Sequence, residues 1–250
     1  MTDRVDHRAL AFGPAAEAYE RGRPSYPAAA VGFLAEQLDL RAGRTVVDLA
    51  AGTGKLTRLL VRTGATVIAV EPVAGMRDEL VGRVPGIEVV DGTAESMPLA
   101  DGAADALTAA QAFHWFDGSR ALPEIHRVLR PGGVLAVVFN RRSSDDPLTA
   151  AIGQITDRYR GSAPRHTTDQ WRDAFGTTEL FSPQELTDFP SRQDVDEDGL
   201  VDRVLSTSVI AALPDDERAA VADEVRALAA GQTRPLRLHY TTEVFVCRRR

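Results

Sequence analysis

Four runs in the first half of the chain are apolar at successive positions rather than alternate ones: "TVVDLA" (45–50), "TVIAVEP" (66–72), "DALTAAQA" (105–112) and "VLAVVFN" (134–140). A strand turns successive side chains to opposite faces, so such a run must be covered on both sides. Between the runs lie segments of helical spacing: "GKLTRLLVRTG" up to Gly64, "AGMRDELVGRV" and "SRALPEIHRVLR". A shorter apolar run, "IEVVDG", adds a further strand, and "PGG" (131–133) turns the chain into the strand "VLAVVFN". Strands buried on both faces and alternating with helices predict an α/β fold with a doubly wound, mostly parallel sheet.

The rhythm changes after Asn140. Residues 142–180 are mostly polar, with Tyr159, Trp171 and Phe175 scattered among them. A strand is expected near "ELTDFPSRQ", and a helix over "PDDERAAVADEVRALAAG" with Pro214 at its start. The strand-like "LRLHYTTEVFVC" closes the chain. The expected organisation is a single domain over 1–250. It comprises an N-terminal helical cap (1–40), a cofactor-binding half (41–141), a substrate-side insertion with the sixth strand and helices (142–235), and a final strand (236–250).

Charge and cysteine content narrow the function classes. A net charge of −7 with no basic block disfavours nucleic acid as a partner, and the terminal Arg248-Arg249-Arg250 is too short to change that. The lone Cys247 excludes an internal disulfide or a cysteine metal cluster, and its apolar setting "EVFVC" reads as buried filler. His7, His166 and His239 lack metal-ligand spacing, so no metal is expected. No signal-peptide core or membrane-length apolar run is present, which points to a cytoplasmic protein with no membrane partner.

The tip of the first strand carries the functional signal. In a doubly wound sheet, ligands sit beyond the carboxyl ends of the strands where the strand order reverses. There "VVDLAAGTGKLT" places Asp48 before a turn of small residues, Ala50, Ala51, Gly52 and Gly54. Glu71 ends the second strand, at the position of a carboxylate that grips ribose hydroxyls. An acid at Asp48 would repel a pyrophosphate and suits a ligand bearing an ammonium or sulfonium. Thr57, where a dinucleotide fingerprint has its third glycine, also argues against a nicotinamide-dependent oxidoreductase.

These residues, with Glu71-Pro72, "GTAESMPLAD" (92–101) and "HRVLRPGGVLAV" (126–137), make the chain resemble a class I S-adenosylmethionine-dependent methyltransferase of the methyltransferase type 11 family. The resemblance runs over roughly residues 10–141. It implies a seven-stranded sheet of order 3-2-1-4-5-7-6 with the last pair antiparallel. It also implies S-adenosylmethionine as cofactor, a small-molecule acceptor methylated by in-line displacement at oxygen or carboxyl, and a monomer or homodimer. By this likeness the turn from Asp48 through Ala50 and Gly52 to Gly54 cradles the methionine part. Glu71 holds the ribose, Thr93, Ala94 and Glu95 lie by the adenine, and Met76 covers its face. Ala50 replaces the family's first glycine, a change that an unstrained turn tolerates. Thr93 replaces an aspartate. The cap "FGPAAEAYERGRPSYP" offers Tyr19 and Arg23 to the cofactor carboxylate.

In "AAQAFHWFD", Gln111, His114 and Trp115 are the candidates nearest the reactive methyl, and Gln111 is assigned to the cofactor. His114 accepts a proton from a hydroxyl or amine, or with Trp115 donates hydrogen bonds to a substrate carboxylate. The His-Trp pair is similar to that of methyltransferases acting on small plant acids and on trans-aconitate. Phe113 and Phe116 read as core, and His126 as structural. In the insertion, Arg160, Arg165, His166 and Trp171 are candidate substrate contacts. The alternative is a methyltransferase fold recruited as a cyclase or binding module.

Overall fold

The computed structural model describes residues 16–143, 145–161 and 170–250. At its centre, β1 (Thr45–Leu49) pairs in parallel with β2 (Thr66–Val70) on one side and β4 (Ala104–Ala110) on the other. β3 (Glu88–Val90) extends the sheet beyond β2, and β5 (Leu129–Arg142) lies beyond β4. β7 (Leu236–Arg248) runs antiparallel between β5 and β6 (Glu185–Val195). The order is therefore β3-β2-β1-β4-β5-β7-β6, as the resemblance implied.

Burial follows the two-residue strand period. Val47, Leu49, Ile68, Val70, Leu107, Ala109, Leu135 and Val137 pack on one face, against Leu122 and Ile125. Val46, Val67, Ala106, Val134, Ala136 and Val138 pack on the other, against Leu34, Leu38 and Leu60. Neighbours in sequence serve opposite layers, which is why the runs show no polar alternation.

The covering helices in the first half are α1 (Ala16–Gly22), α2 (Ala28–Gln37), α3 (Thr57–Val61), α4 (Ala74–Arg83) and α5 (Gly118–Val128). α3 is shorter than "GKLTRLLVRTG" suggests, because the residues before Thr57 form turns. β5 begins before "PGG" rather than after it. Leu129 pairs with Ala104, the register then shifts, and regular pairing resumes at Val134 with Ala106.

The polar stretch after Asn140 contains a helix that its composition hides: α6 (Pro147–Asp157). Asp146 caps it by accepting from the Thr149 N–H at 2.8 Å, and Leu148, Ile152 and Ile155 are buried. Such a cap contributes about 1 kcal/mol, and three buried aliphatic side chains several times that, at about 1.5–3 kcal/mol each. Burial therefore decides that α6 docks. Its partners are α8 (Glu197–Leu205), α9 (Ser208–Ala211) and α10 (Asp215–Ala230), which form a second apolar cluster around the start of β7. A short helix, α7 (Asp173–Gly176), follows a 3-10 turn at Gln170–Arg172. Among the described residues, no helix is long and apolar enough to cross a membrane.

Candidate functional site

The strand order reverses between β1 and β4, and a cavity of about 530 Å³ opens over the carboxyl ends of the strands there. That size suits a drug-sized ligand. Of the residues singled out from the sequence, Tyr19, Arg23, Ala50, Gly52, Glu71, Pro72, Met76, Thr93, Ala94, Glu95, Gln111, His114 and Trp115 line it.

Asp48 and Gly54 do not. Asp48 is 1 % exposed, and its two oxygens accept from the Thr57 hydroxyl at 2.6 Å and the Thr108 hydroxyl at 2.8 Å. Thr108 is its register partner on β4, so the acid is clamped inside the sheet. Burial pushes its carboxyl up to about 6, against the pull of the Thr57 and Thr108 hydrogen bonds. Asp48 can thus act on the cavity only through its field. At Gly54 a Cβ would lie 3.1 Å from Val84 Cγ2 and 3.3 Å from Leu80 Cγ. This glycine lets the turn pack on α4 rather than letting a ligand approach.

The turn is strained, against the unstrained turn expected from the sequence. Ala50 sits at φ 53°, in the left-handed region that a Cβ disfavours, because the chain must reverse as it leaves β1. Gln111 does the same at φ 59° as the chain leaves β4. Two non-glycine residues in this conformation flank the point where the strand order reverses, and stored backbone strain clusters at functional sites. Gly52 (φ 58°) differs from Gly54, since a Cβ there would meet open space.

Glu71 is 4 % exposed and fixed by two backbone donors, Gly52 N–H and Val73 N–H, each at 2.9 Å. Burial raises its pKa despite those bonds. Each carboxylate oxygen keeps a free lone pair for a ligand hydroxyl. One buried polar atom in the same wall, Thr93 Oγ1, has no hydrogen-bond partner among the described residues. Unsatisfied buried groups are rare and call for one. Met76 packs with Val73 and Tyr19, making this end of the wall apolar between its polar points. A ligand with a vicinal diol, a flat heteroaromatic ring and a cationic centre fits these groups.

α1 straps the cavity. Its Glu20 accepts from the Thr53 hydroxyl and from Arg58, each at 2.6 Å, and Lys55 donates to the Glu20 carbonyl oxygen at 2.6 Å. Burial opposes ionisation of Glu20, yet Thr53, Arg58 and Lys55 outweigh it and hold its pKa below the ordinary value. Arg23 stacks over the Tyr19 ring at 5.1 Å and donates to the Ser206 carbonyl at 2.8 Å.

Between the two ends stands the 3-10 turn Phe113–Trp115, at the tip of β4. His114 lies 5.0 Å from the Trp115 ring and 5.6 Å from that of Phe139. Phe113 is core, as expected, whereas Phe116 packs on it and also reaches the cavity wall. His126 stands away from the cavity, its Nε2 3.1 Å from the carbonyl oxygen of Arg250.

Trp171 does not line the cavity. It is buried in an aromatic cluster with Phe113, Phe139 and Phe245 at 5.0–5.7 Å. Arg160 does line the cavity, paired with Asp157 at 2.8 Å. Arg165 and His166 fall outside the described residues. Missed from the sequence were Asn140, Arg142, Arg203 and Thr207. Only Arg142 had a signal, as a charged residue just past a fully apolar strand.

Comparisons with known proteins converge. Residues 47–137 match the family model described as a methyltransferase domain. An uncharacterized methyltransferase of Mycobacterium tuberculosis is 43 % identical over 194 residues, covering 75 % of this chain and 78 % of the relative. An uncharacterized methyltransferase-like protein of Schizosaccharomyces pombe is 32 % identical over 204 residues, 81 % of this chain and 79 % of that one. Among solved structures, a candidate type II methyltransferase of Anaeromyxobacter dehalogenans superposes with a TM-score of 0.63 at 26 % identity. It covers 90 % of this chain and 97 % of its own.

Proposed function

The chain belongs to the class I S-adenosylmethionine-dependent methyltransferases, and from that premise we propose that it methylates an oxygen of a small-molecule acceptor, with His114 and Trp115 presenting that oxygen. The observation that supports this most is the placement of His114 and Trp115. They stand at the tip of β4, between the cavity wall of Ala50, Gly52 and Glu71 and the wall beyond β5.

On this reading Glu71 receives the ribose hydroxyls, and the orphaned Thr93 hydroxyl and Glu95 serve the adenine. Met76 and Tyr19 cover apolar faces, and Arg23 receives the cofactor carboxylate. Asp48 and Glu71 make this end of the cavity negative, which favours a cationic centre. S-adenosylmethionine supplies an electrophilic methyl with its leaving group already attached. The protein's task is then alignment and exclusion of water, which can account for much of a rate enhancement. A carboxylate acceptor needs no base, and a hydroxyl acceptor would give its proton to His114.

Calorimetric titration of S-adenosylmethionine and NAD into the wild type and Glu71→Ala tests the cofactor reading. The expected result is binding of the first ligand alone, weakened about tenfold or more by the substitution. Absence of binding would leave a recruited scaffold as the better reading. Labelled-methyl transfer to small acids and phenols, lost in His114→Ala but not in an exposed-surface control, then tests the acceptor chemistry.

A further inference from the structure

The end of the cavity beyond β5 is crowded with positive charge that the described residues leave unbalanced. Arg23 follows α1, Arg142 ends β5 and Arg203 lies on α8, and all three line the cavity. Arg203 is 5 % exposed and donates to the Tyr240 hydroxyl at 2.9 Å. Arg142 donates to the Thr156 hydroxyl at 3.5 Å. Among the described residues, each guanidinium has a buried nitrogen without a partner: Arg23 Nε, Arg142 Nη1 and Arg203 Nη1. The Thr207 hydroxyl in the same wall is likewise buried and has no partner among the described residues.

No carboxylate among the described residues pairs with any of the three arginines. Of the acids that line the cavity, Glu71 and Glu95 belong to the β2–β3 end, and Asp157 is engaged by Arg160. The arginines instead repel one another. Burial first, and then the charge of Arg203, lower Arg142 to about 9 and Arg23 to about 10. A guanidinium cannot escape by losing its proton at neutral pH, so an unpaired cluster persists only at a cost. Its donors match the oxygens of a carboxylate or phosphate.

The proposed cofactor presents one carboxylate, which Arg23 takes on the reading above, and that leaves two guanidiniums and a hydroxyl. We propose that Arg142 and Arg203, with Thr207, form an oxyanion subsite that anchors the methyl acceptor. The acceptor is therefore a small anion carrying a carboxylate or phosphate besides the oxygen that is methylated. This inference rests on the methyltransferase reading for the word acceptor, but the subsite itself does not.

The test uses the full chain without cofactor. Glutarate, inorganic phosphate, neutral glutaramide and sodium chloride at matched ionic strength are titrated by calorimetry and followed by thermal melting. The expected result is binding of one oxyanion but not of glutaramide, weakened about tenfold or more in both Arg142→Gln and Arg203→Gln. S-adenosylhomocysteine affinity should change less than about threefold in the same variants. Without anion, Arg142→Gln should melt at or above the wild-type temperature, since it relieves repulsion, whereas a structural arginine would lower it. Preference for glutarate or for phosphate names the source of the oxyanion.

An oxyanion effect no larger than that of chloride, or one unchanged in both variants, overturns the subsite. Oxyanion binding without S-adenosylhomocysteine binding would keep the subsite and overturn the methyltransferase reading instead.

Discussion

Asp48 is an acid held where its charge is disfavoured. Its ordinary value is 3.8, and burial lifts it to about 6 in the folded chain. Below pH 3.8 both folded and unfolded forms are protonated. Between the two values the folded form holds a proton that the unfolded form has released, so stability falls as pH rises through this window. Above about 6 the full penalty applies, on the order of 2–3 kcal/mol. Asp48→Asn removes the titration while leaving a side chain of the same shape to Thr57 and Thr108. Urea melts at pH 4 and pH 7 should therefore show the variant gaining on the wild type by roughly 2 kcal/mol across that interval. A gap that does not change with pH would mean that Asp48 is not desolvated. At Ala50 the left-handed φ predicts that Ala50→Gly is neutral or stabilising by up to about 1 kcal/mol, readable in the same melts. The sequence announced both residues, since an acid and a small turn at a strand tip are properties of residue type. It did not announce where Asp48 points, because that is set by Thr57 and Thr108, which reach it from two other elements.

At the scale of elements, strands and helices of the first half were readable because each is stamped with one period. α6 was not, because Thr149, Gln154 and Asp157, which face the cavity, dilute the spacing of Leu148, Ile152 and Ile155. Trp171 read as a pocket residue for the same reason: its buried neighbours Phe113, Phe139 and Phe245 are distant in sequence. α1 depends on one side chain to a similar degree. Glu20 gathers Thr53, Lys55 and Arg58 onto the helix, and hydrogen bonds to charged groups contribute about 1.5–3 kcal/mol. Glu20→Ala should therefore lower stability by about that amount. It should also weaken S-adenosylhomocysteine binding, since Tyr19 and Arg23 ride on the same segment. Calorimetry of the variant checks this, and binding equal to wild type would show that α1 does not depend on Glu20 to reach the site.

The apolar layers on the two faces of the sheet and the cluster around α6 and α8 to α10 meet at a polarised cavity, with acids at the β2–β3 end and arginines at the β5–α8 end. α1 spans them. Glu20 fastens it to the turn after β1, while Arg21 bonds Asp202 at 2.6 Å and Gln193 donates to the Gly22 carbonyl at 3.1 Å. That second attachment depends on the absence of a side chain. A Cβ at Gly22 would lie 2.5 Å from the carbonyl carbon of Asp202 and 2.6 Å from the Arg203 nitrogen, both backbone atoms that cannot rotate away. Gly22→Ala must push α1 off α8, at about 1–3 kcal/mol for overpacking. The displaced segment carries Arg23, the proposed partner of the cofactor carboxylate, and α8 carries Arg203 of the proposed oxyanion subsite, so both ligands are disturbed at once. Gly22→Ala should thus weaken S-adenosylhomocysteine and the oxyanion together, whereas Glu71→Ala weakens the first alone. Hydrogen exchange over Ala16–Gly22 should rise in the glycine variant and stay at the wild-type level in Glu71→Ala. Unchanged exchange with both affinities intact would mean that α1 tolerates separation from α8, and that the two halves form the cavity without it.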